Sequence, residues 1–369
     1  MKTGQELYNE HLNRIKTAVA MKKTDRTPVM LHAGAFCVRY AGGKLSDLVK
    51  NLEYGQELVL KGLQAMGDID CVVGTAEYPP IMGASYLAHV KVPGRELPDD
   101  MQWQIDERGV MTEEDYDTVI DKGWDYFFTD VCKNRLDNVL DEMQYVGKFA
   151  AKAAKMYEDA GIVILPPVMT GLPFSAFCGG RTIPKFMRDL HRIPDKVQAA
   201  IDAAMVSRVE SLRQQIRTVN PYSVFIGGGR GAGDFLSIKA FERFVWPYFK
   251  KLVEVMVEEG ANAYLHLDLS WDRFLNYFLE LPKGRCIFHP DSTTDIFKAK
   301  EVLQGHMCFM GDVSPSLLTL YTPDDVYEYS KRLVDEFSPI GFIMAAGCCV
   351  PANAKPENVK AMLAAAFDN

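Results

Sequence analysis

The chain has 369 residues, 48% of them hydrophobic, with 28 Gly and 19 Pro, enough to bury a large core, as one big domain spanning residues 1–369 or as two smaller ones. A net charge of -8 and an isoelectric point near 5.5 argue against an extended nucleic-acid surface. No segment approaches about 18 uninterrupted apolar residues, so none is expected to span a membrane. The N-terminal Met1–Glu6 lacks the apolar run of a signal peptide. The eight cysteines are scattered without a C-x-x-C pair, which suits a reducing cytoplasm.

In chain order, Thr3–Met21 reads as a leading helix. Short apolar runs then alternate with amphipathic helical stretches. The predicted strands are Pro28–His32, Ile69–Val73, Ile162–Leu165, Ser223–Ile226, Asn262–His266, Arg285–His289, Met307–Met310 and Gly341–Ala345. They are apolar on both faces, as strands of a helix-covered parallel sheet are. Helical periodicity fills the gaps, for example over Asn138–Asp159, Pro194–Val219, Ile238–Glu259 and Thr322–Phe337. Eight strands each followed by helix predict an α/β fold, a single (β/α)8 TIM barrel. A doubly wound sheet is the structural rival. The stretch Glu77–Gly123 interrupts the alternation and reads as a β-hairpin insertion after strand two.

Catalytic groups of such a barrel project from the C-terminal strand ends. His266-Leu267-Asp268 follows strand five, and residues two apart on an extended segment point the same way. Gly347-Cys348-Cys349 follows strand eight. His266, Asp268 and Cys348 therefore form a candidate zinc site with a fourth position open; the competing reading is an imidazole paired with a rim carboxylate. Glu77 is either a general acid or a carboxylate that orders its loop. The glycine-rich run Gly227–Gly233 lacks a P-loop lysine and reads as a flexible rim loop. Arg230 within it either clamps an anionic substrate or pairs with Asp234. His289 and Asp291, after strand six, are candidate partners that orient a ligand. His11 and His191 read as surface residues of helices. Tyr78, Tyr86, Trp103, Phe174, Phe177 and Trp271 either line an aromatic pocket or belong to the core.

Several segments resemble the uroporphyrinogen decarboxylase superfamily. They are Phe235–Tyr248, Gly311–Leu318 followed by Tyr321–Val326, and Gly341–Met362, with Gly171-Leu172-Pro173-Phe174 similar to a further family segment. The resemblance implies one (β/α)8 barrel and two alternative chemistries. True decarboxylases carry an Arg-rich N-terminal motif, an aspartate after strand two, a tyrosine after G-x-P-W and a histidine in a C-terminal G-H-G. This chain instead has His32–Tyr40 with Arg39 alone, Glu77, Ser-Ala-Phe-Cys after Phe174, and Cys348. The other branch, the corrinoid-dependent methyltransferases, includes zinc enzymes with an H-x-C…C ligand set. His266 and Cys348 match that set, and Asp268 replaces its first cysteine.

A carboxylate in that position makes zinc a harder Lewis acid, suited to polarising an oxygen. The resemblance thus implies an O-demethylase-like methyltransferase. It would pass a methyl group from a small methylated substrate, such as an aryl methyl ether, to cob(I)alamin on a corrinoid protein. The expected catalytic residues are Glu77, His266, Asp268 and Cys348. The expected substrate-binding residues are His32, Arg39, Tyr78, Phe174, Arg230, Trp271, His289 and Asp291. Expected cofactors are zinc and the partner's cob(I)alamin, with no nucleic acid or membrane as partner; homodimerisation is left open. The alternatives are tetrapyrrole decarboxylation, thiol methylation, and a barrel that binds a tetrapyrrole or corrinoid without turnover.

Overall fold

Ten short strands appear in the computed structural model, which describes residues 2–74, 77–231 and 233–368. They are β1 (Cys71–Val72), β2 (His89–Lys91), β3 (Gln104–Asp106), β4 (Val163–Ile164), β5 (Val168–Gly171), β6 (Ser223–Gly227), β7 (Asn262–Leu267), β8 (Cys286–Pro290), β9 (Cys308–Met310) and β10 (Phe342–Ile343). Strands β5 to β10 form a parallel sheet in chain order, and β1 pairs in parallel with β4. Single parallel bridges join Met30 to Cys71 and Val29 to Met344. The protein is therefore α/β with a parallel sheet. Among the described residues, no continuous ladder closes that sheet on itself.

The apolar side chains sort into two cores. The larger lies between the strands and their covering helices. The smaller gathers Met30, Cys71, Val163, Tyr264, Ile287, Met310 and Ile343 with Ile15, Ala18 and Val19 of the N-terminal helix. That helix, Gly4–Val19, starts at a capping box in which Thr3 and Glu6 exchange hydrogen bonds. Its apolar face thus covers the inner face of the sheet.

The predicted strands are found, mostly shortened. The first contributes only the bridges at Val29 and Met30. The third extends beyond the predicted Ile162–Leu165: Pro166 and Pro167 lack backbone donors and break it, and pairing resumes as β5. The helix predicted over Ile238–Glu259 divides into Ile238–Phe244 and Trp246–Glu258, because Pro247 cannot donate into a continuous helix. The insertion after the second strand contains the antiparallel pair β2–β3. No helix among the described residues is long and apolar enough to cross a membrane.

Candidate metal centre

Strand register builds the site. His266 on β7 pairs with His289 on β8, so both side chains leave the same face of the sheet. The His289 Nε2–H donates to the Ala346 carbonyl at 2.9 Å. Its Nδ1 is then the acceptor, and takes the Tyr264 hydroxyl at 2.6 Å and the Nδ1–H of His266 at 3.1 Å. Burial holds the His289 pKa well below the usual imidazole range, with the nearby His266 acting in the same direction. A neutral His289 thus fixes the His266 proton on Nδ1 and leaves its Nε2 facing the open side.

Asp268 Oδ1 lies 3.2 Å from that Nε2. The ligand atoms of His266, Asp268 and Cys348 all fall within 4.8 Å of one another. Burial alone would lower the His266 pKa, but its contacts with Asp268 and the Cys348 thiol outweigh this and raise it to about 9. Burial would raise the Asp268 pKa, yet His266 holds it below the usual carboxylate value. The Cys348 thiol is pushed up, chiefly by its contact with Cys349 and then by burial.

These groups could hold a metal ion such as zinc. Neighbouring corners of a tetrahedron with bonds of about 2.0 Å stand roughly 3.3 Å apart, close to the observed His266–Asp268 separation. The His266 ring already has the outer hydrogen bond that zinc-ligating imidazoles have. A cation entering between the three groups would displace the second His266 proton and the thiol proton.

The surrounding backbone is shaped to the carboxylate. Leu269 sits at φ 65°, a left-handed conformation that a branched side chain seldom adopts. Its N–H is held by Asp291 Oδ2 at 2.7 Å, and Asp291 Oδ1 takes Thr293 N–H at 2.8 Å. A Cβ on Gly229 would lie 2.9 Å from Asp268 Oδ2, and one on Gly228 would lie 2.6 Å from the Trp271 ring. The glycine run, of which Ala232 lies outside the described residues, is therefore a close-packed backbone where the sequence suggested a flexible loop.

A second group of polar side chains adjoins the triad. Cys349 Sγ lies 3.3 Å from His32 Nδ1. His32 and Glu77 both line a small cavity with Gly34 and Tyr157. Burial raises the Glu77 pKa, opposed by His32 and the Ala35 N–H. Glu77 therefore suits proton donation better than an exposed carboxylate does.

The structure also places the other residues singled out in the sequence. Trp271 and Phe174 are fully buried. Trp271 packs on Phe241, Phe249 and Phe278 while its Nε1–H donates to the Asp268 carbonyl. Phe177 is equally buried, against Tyr116 and Trp124. Tyr78 is buried too, its hydroxyl donating to Glu142. His289 and Asp291 have the ring nitrogens and carboxylate oxygens engaged as above, leaving them supporting positions behind the triad. Arg39 is exposed and reaches the Ala352 carbonyl. Arg230 pairs with Glu107, while Asp234 accepts from Ser270 N–H. His11 is buried and bonded to Gly161 O and Asp68, because its helix faces inward there. His191 is exposed, as expected.

Sequence reading passed over Tyr264, Glu107 and the Ala346 carbonyl. Tyr264 had a usable signal, since it stands two residues before His266 on one strand face. Glu107 had none, as it lies 123 residues from Arg230.

The comparisons with known proteins agree with this architecture. No curated protein matches the sequence. Among solved structures, a methyltransferase from Methanosarcina mazei shares the fold. It aligns with a TM-score of 0.67 and 16% identity, covering 100% of this chain and 99% of that one. The family model for uroporphyrinogen decarboxylase (URO-D) matches residues 130–368, well over half of the chain and the part that holds His266, Asp268 and Cys348. The protein belongs to the uroporphyrinogen decarboxylase (URO-D) family.

Proposed function

We propose that the protein is a corrinoid-dependent methyltransferase that takes a methyl group from a small methylated substrate, such as an aryl methyl ether. On this reading the chain is a single (β/α)8 barrel with the triad at its catalytic end. The acceptor is cob(I)alamin on a partner corrinoid protein. The observation that carries the reading is the convergence of His266, Asp268 and Cys348 around one point.

Zinc bound there would act as a Lewis acid on the ether oxygen. The residues supply the rest. His289 fixes the His266 tautomer, and Asp291 holds the turn that aims Asp268. Glu77, enclosed beside His32, is the proton donor for the departing oxygen. Because cobalt(I) is itself the nucleophile, the chain needs only to place the methyl group in line and exclude water.

Tetrapyrrole decarboxylation is less well supported. A polycarboxylate substrate calls for several cationic partners, whereas Arg39 is exposed on the Ala352 carbonyl and Arg230 already faces Glu107.

Metal analysis of the purified protein, with His266→Ala and Cys348→Ser alongside, tests the site. We expect one zinc per chain in the wild type and loss from both variants. Full metal in both would remove the zinc site. A spectroscopic screen of methylated substrates with cob(I)alamin tests the activity. No cobalt methylation from any aryl methyl ether, methylamine or methylthiol would overturn it.

A further inference from the structure

Two buried donors converge on one lone pair behind the triad. His289 Nδ1 lies 2.6 Å from the Tyr264 hydroxyl and 3.1 Å from His266 Nδ1. The other ring nitrogen of His289 is committed, its N–H donating to the Ala346 carbonyl at 2.9 Å. A neutral imidazole has a single acceptor nitrogen. The Tyr264 O–H and the His266 Nδ1–H therefore compete for it. A hydrogen bond weakens as it lengthens and bends away from the lone pair, so the shorter O–H bond takes the larger share.

Neither donor can withdraw. Tyr264 is 1% exposed, and among the described residues its hydroxyl has no other acceptor. Neighbouring rings fix its position. It stacks on His289 with centroids 5.5 Å apart and meets Phe225 edge-on at 5.4 Å. Phe225 also lies 5.6 Å from the His266 ring. A hydroxyl turned away from His289 would lose its bond inside the core, which is costly. The His266 Nδ1–H has only the same acceptor among the described residues.

We infer that Tyr264 is a positioning residue that weakens the outer hydrogen bond of His266 and so loosens the hold of the triad on its metal. A ligating imidazole becomes more basic when it donates its other N–H. Here the tyrosine takes part of the acceptor, and His266 Nε2 is a weaker ligand than the two histidines alone would make it. A metal held that way is more electrophilic and more readily exchanged. The inference rests on the metal reading of the triad for the ion, but the shared acceptor belongs to the metal-free protein as well.

Tyr264→Phe keeps the ring and removes the competing donor, and two measurements on the full-length protein test it. The first uses metal-free protein labelled with nitrogen-15 in histidine, the His266 Nδ1 proton being identified by its loss in His266→Ala. That proton should move downfield in Tyr264→Phe, as a proton does when its hydrogen bond strengthens. The second is competition with a chromogenic chelator. Removing a whole outer partner costs about 10–100-fold in affinity, so Tyr264→Phe should hold zinc more tightly than wild type, by up to about tenfold. Added to His289→Phe, it should leave zinc affinity unchanged, because the shared acceptor is already gone. A proton that stays or moves upfield, equal or weaker zinc binding in Tyr264→Phe, or the same gain on His289→Phe overturns the inference. A wild type that binds no zinc would remove the metal reading, and the proton shift alone would then decide the inference.

Discussion

The two ends of the parallel strands treat acidic residues in opposite ways. Ahead of β1, Asp70 is fully buried and accepts from Arg14, Arg26 and the Val29 N–H. Asp25 and Asp68 complete the network through the same arginines, and His11 adds to Asp68. Beyond β7, the Asp268 carboxylate pairs with the titratable His266, with a thiol nearby. Permanent cations satisfy the first group, which is thus structural. The second has an imidazole where a permanent cation would stand, and this is the arrangement that lets an exchangeable metal compete. Buried charge alone does not mark a site; the nature of its partner does.

The largest expected effect tests the structural end. Asp70→Ala removes the buried carboxylate that Arg14 and Arg26 share, and should cost about 3–5 kcal/mol, seen as a lower denaturation midpoint with metal content per folded chain unchanged. If metal were lost instead, the two ends would not be independent.

The next effect concerns pH. Asp25 is held at about 2, mainly by Arg14. It contributes stability that is present above its unfolded value of about 3.9 and is lost as pH falls towards 2. Asp312, at the far end after β9, has the opposite sign. Burial raises its pKa to about 7, against the hydrogen bond from Tyr329. The folded protein keeps a proton there that the unfolded chain releases, so stability should fall as pH rises from about 4 to 7, by up to about 1.4 kcal/mol per unit. Asp312→Asn should flatten this slope in denaturation curves measured across that range; an unchanged slope would show that Asp312 titrates normally.

A smaller effect separates the ligands from their support. His289→Phe keeps an aromatic ring but removes the acceptor for His266 and the donor to Ala346. Zinc affinity should fall about 10–100-fold by competition with a chromogenic chelator. Unchanged affinity would mean that His266 is oriented by packing alone.

Much of this was legible in the sequence because the signals were local. Apolar runs gave β6 to β9 nearly residue for residue, and the two-residue spacing of His266 and Asp268 on an extended segment placed both on one side. The partner of Arg230 was not legible. Asp234 was the near choice, but its carboxylate caps the Ser270 N–H, and the hairpin path delivers Glu107 from far away in the chain. The burial of Trp271 and Phe174 was not legible for a related reason. An aromatic residue just beyond a strand looks like a pocket wall, and only the packing of the helices shows that it faces inward. His11 shows the reverse, a polar residue drawn inside by acids that no local pattern links to it.

The bond from His289 to Ala346 also has a mechanical side. His266 stands on β7 and Cys348 follows β10, so any breathing of the intervening strands would alter the gap between them. One imidazole spans that gap and works as a strut, setting the bite of the ligands before an ion arrives. Ions differ in radius and preferred angle, and a fixed bite discriminates among them. The choice of metal would then depend on the ring behind the ligands as much as on the ligands themselves.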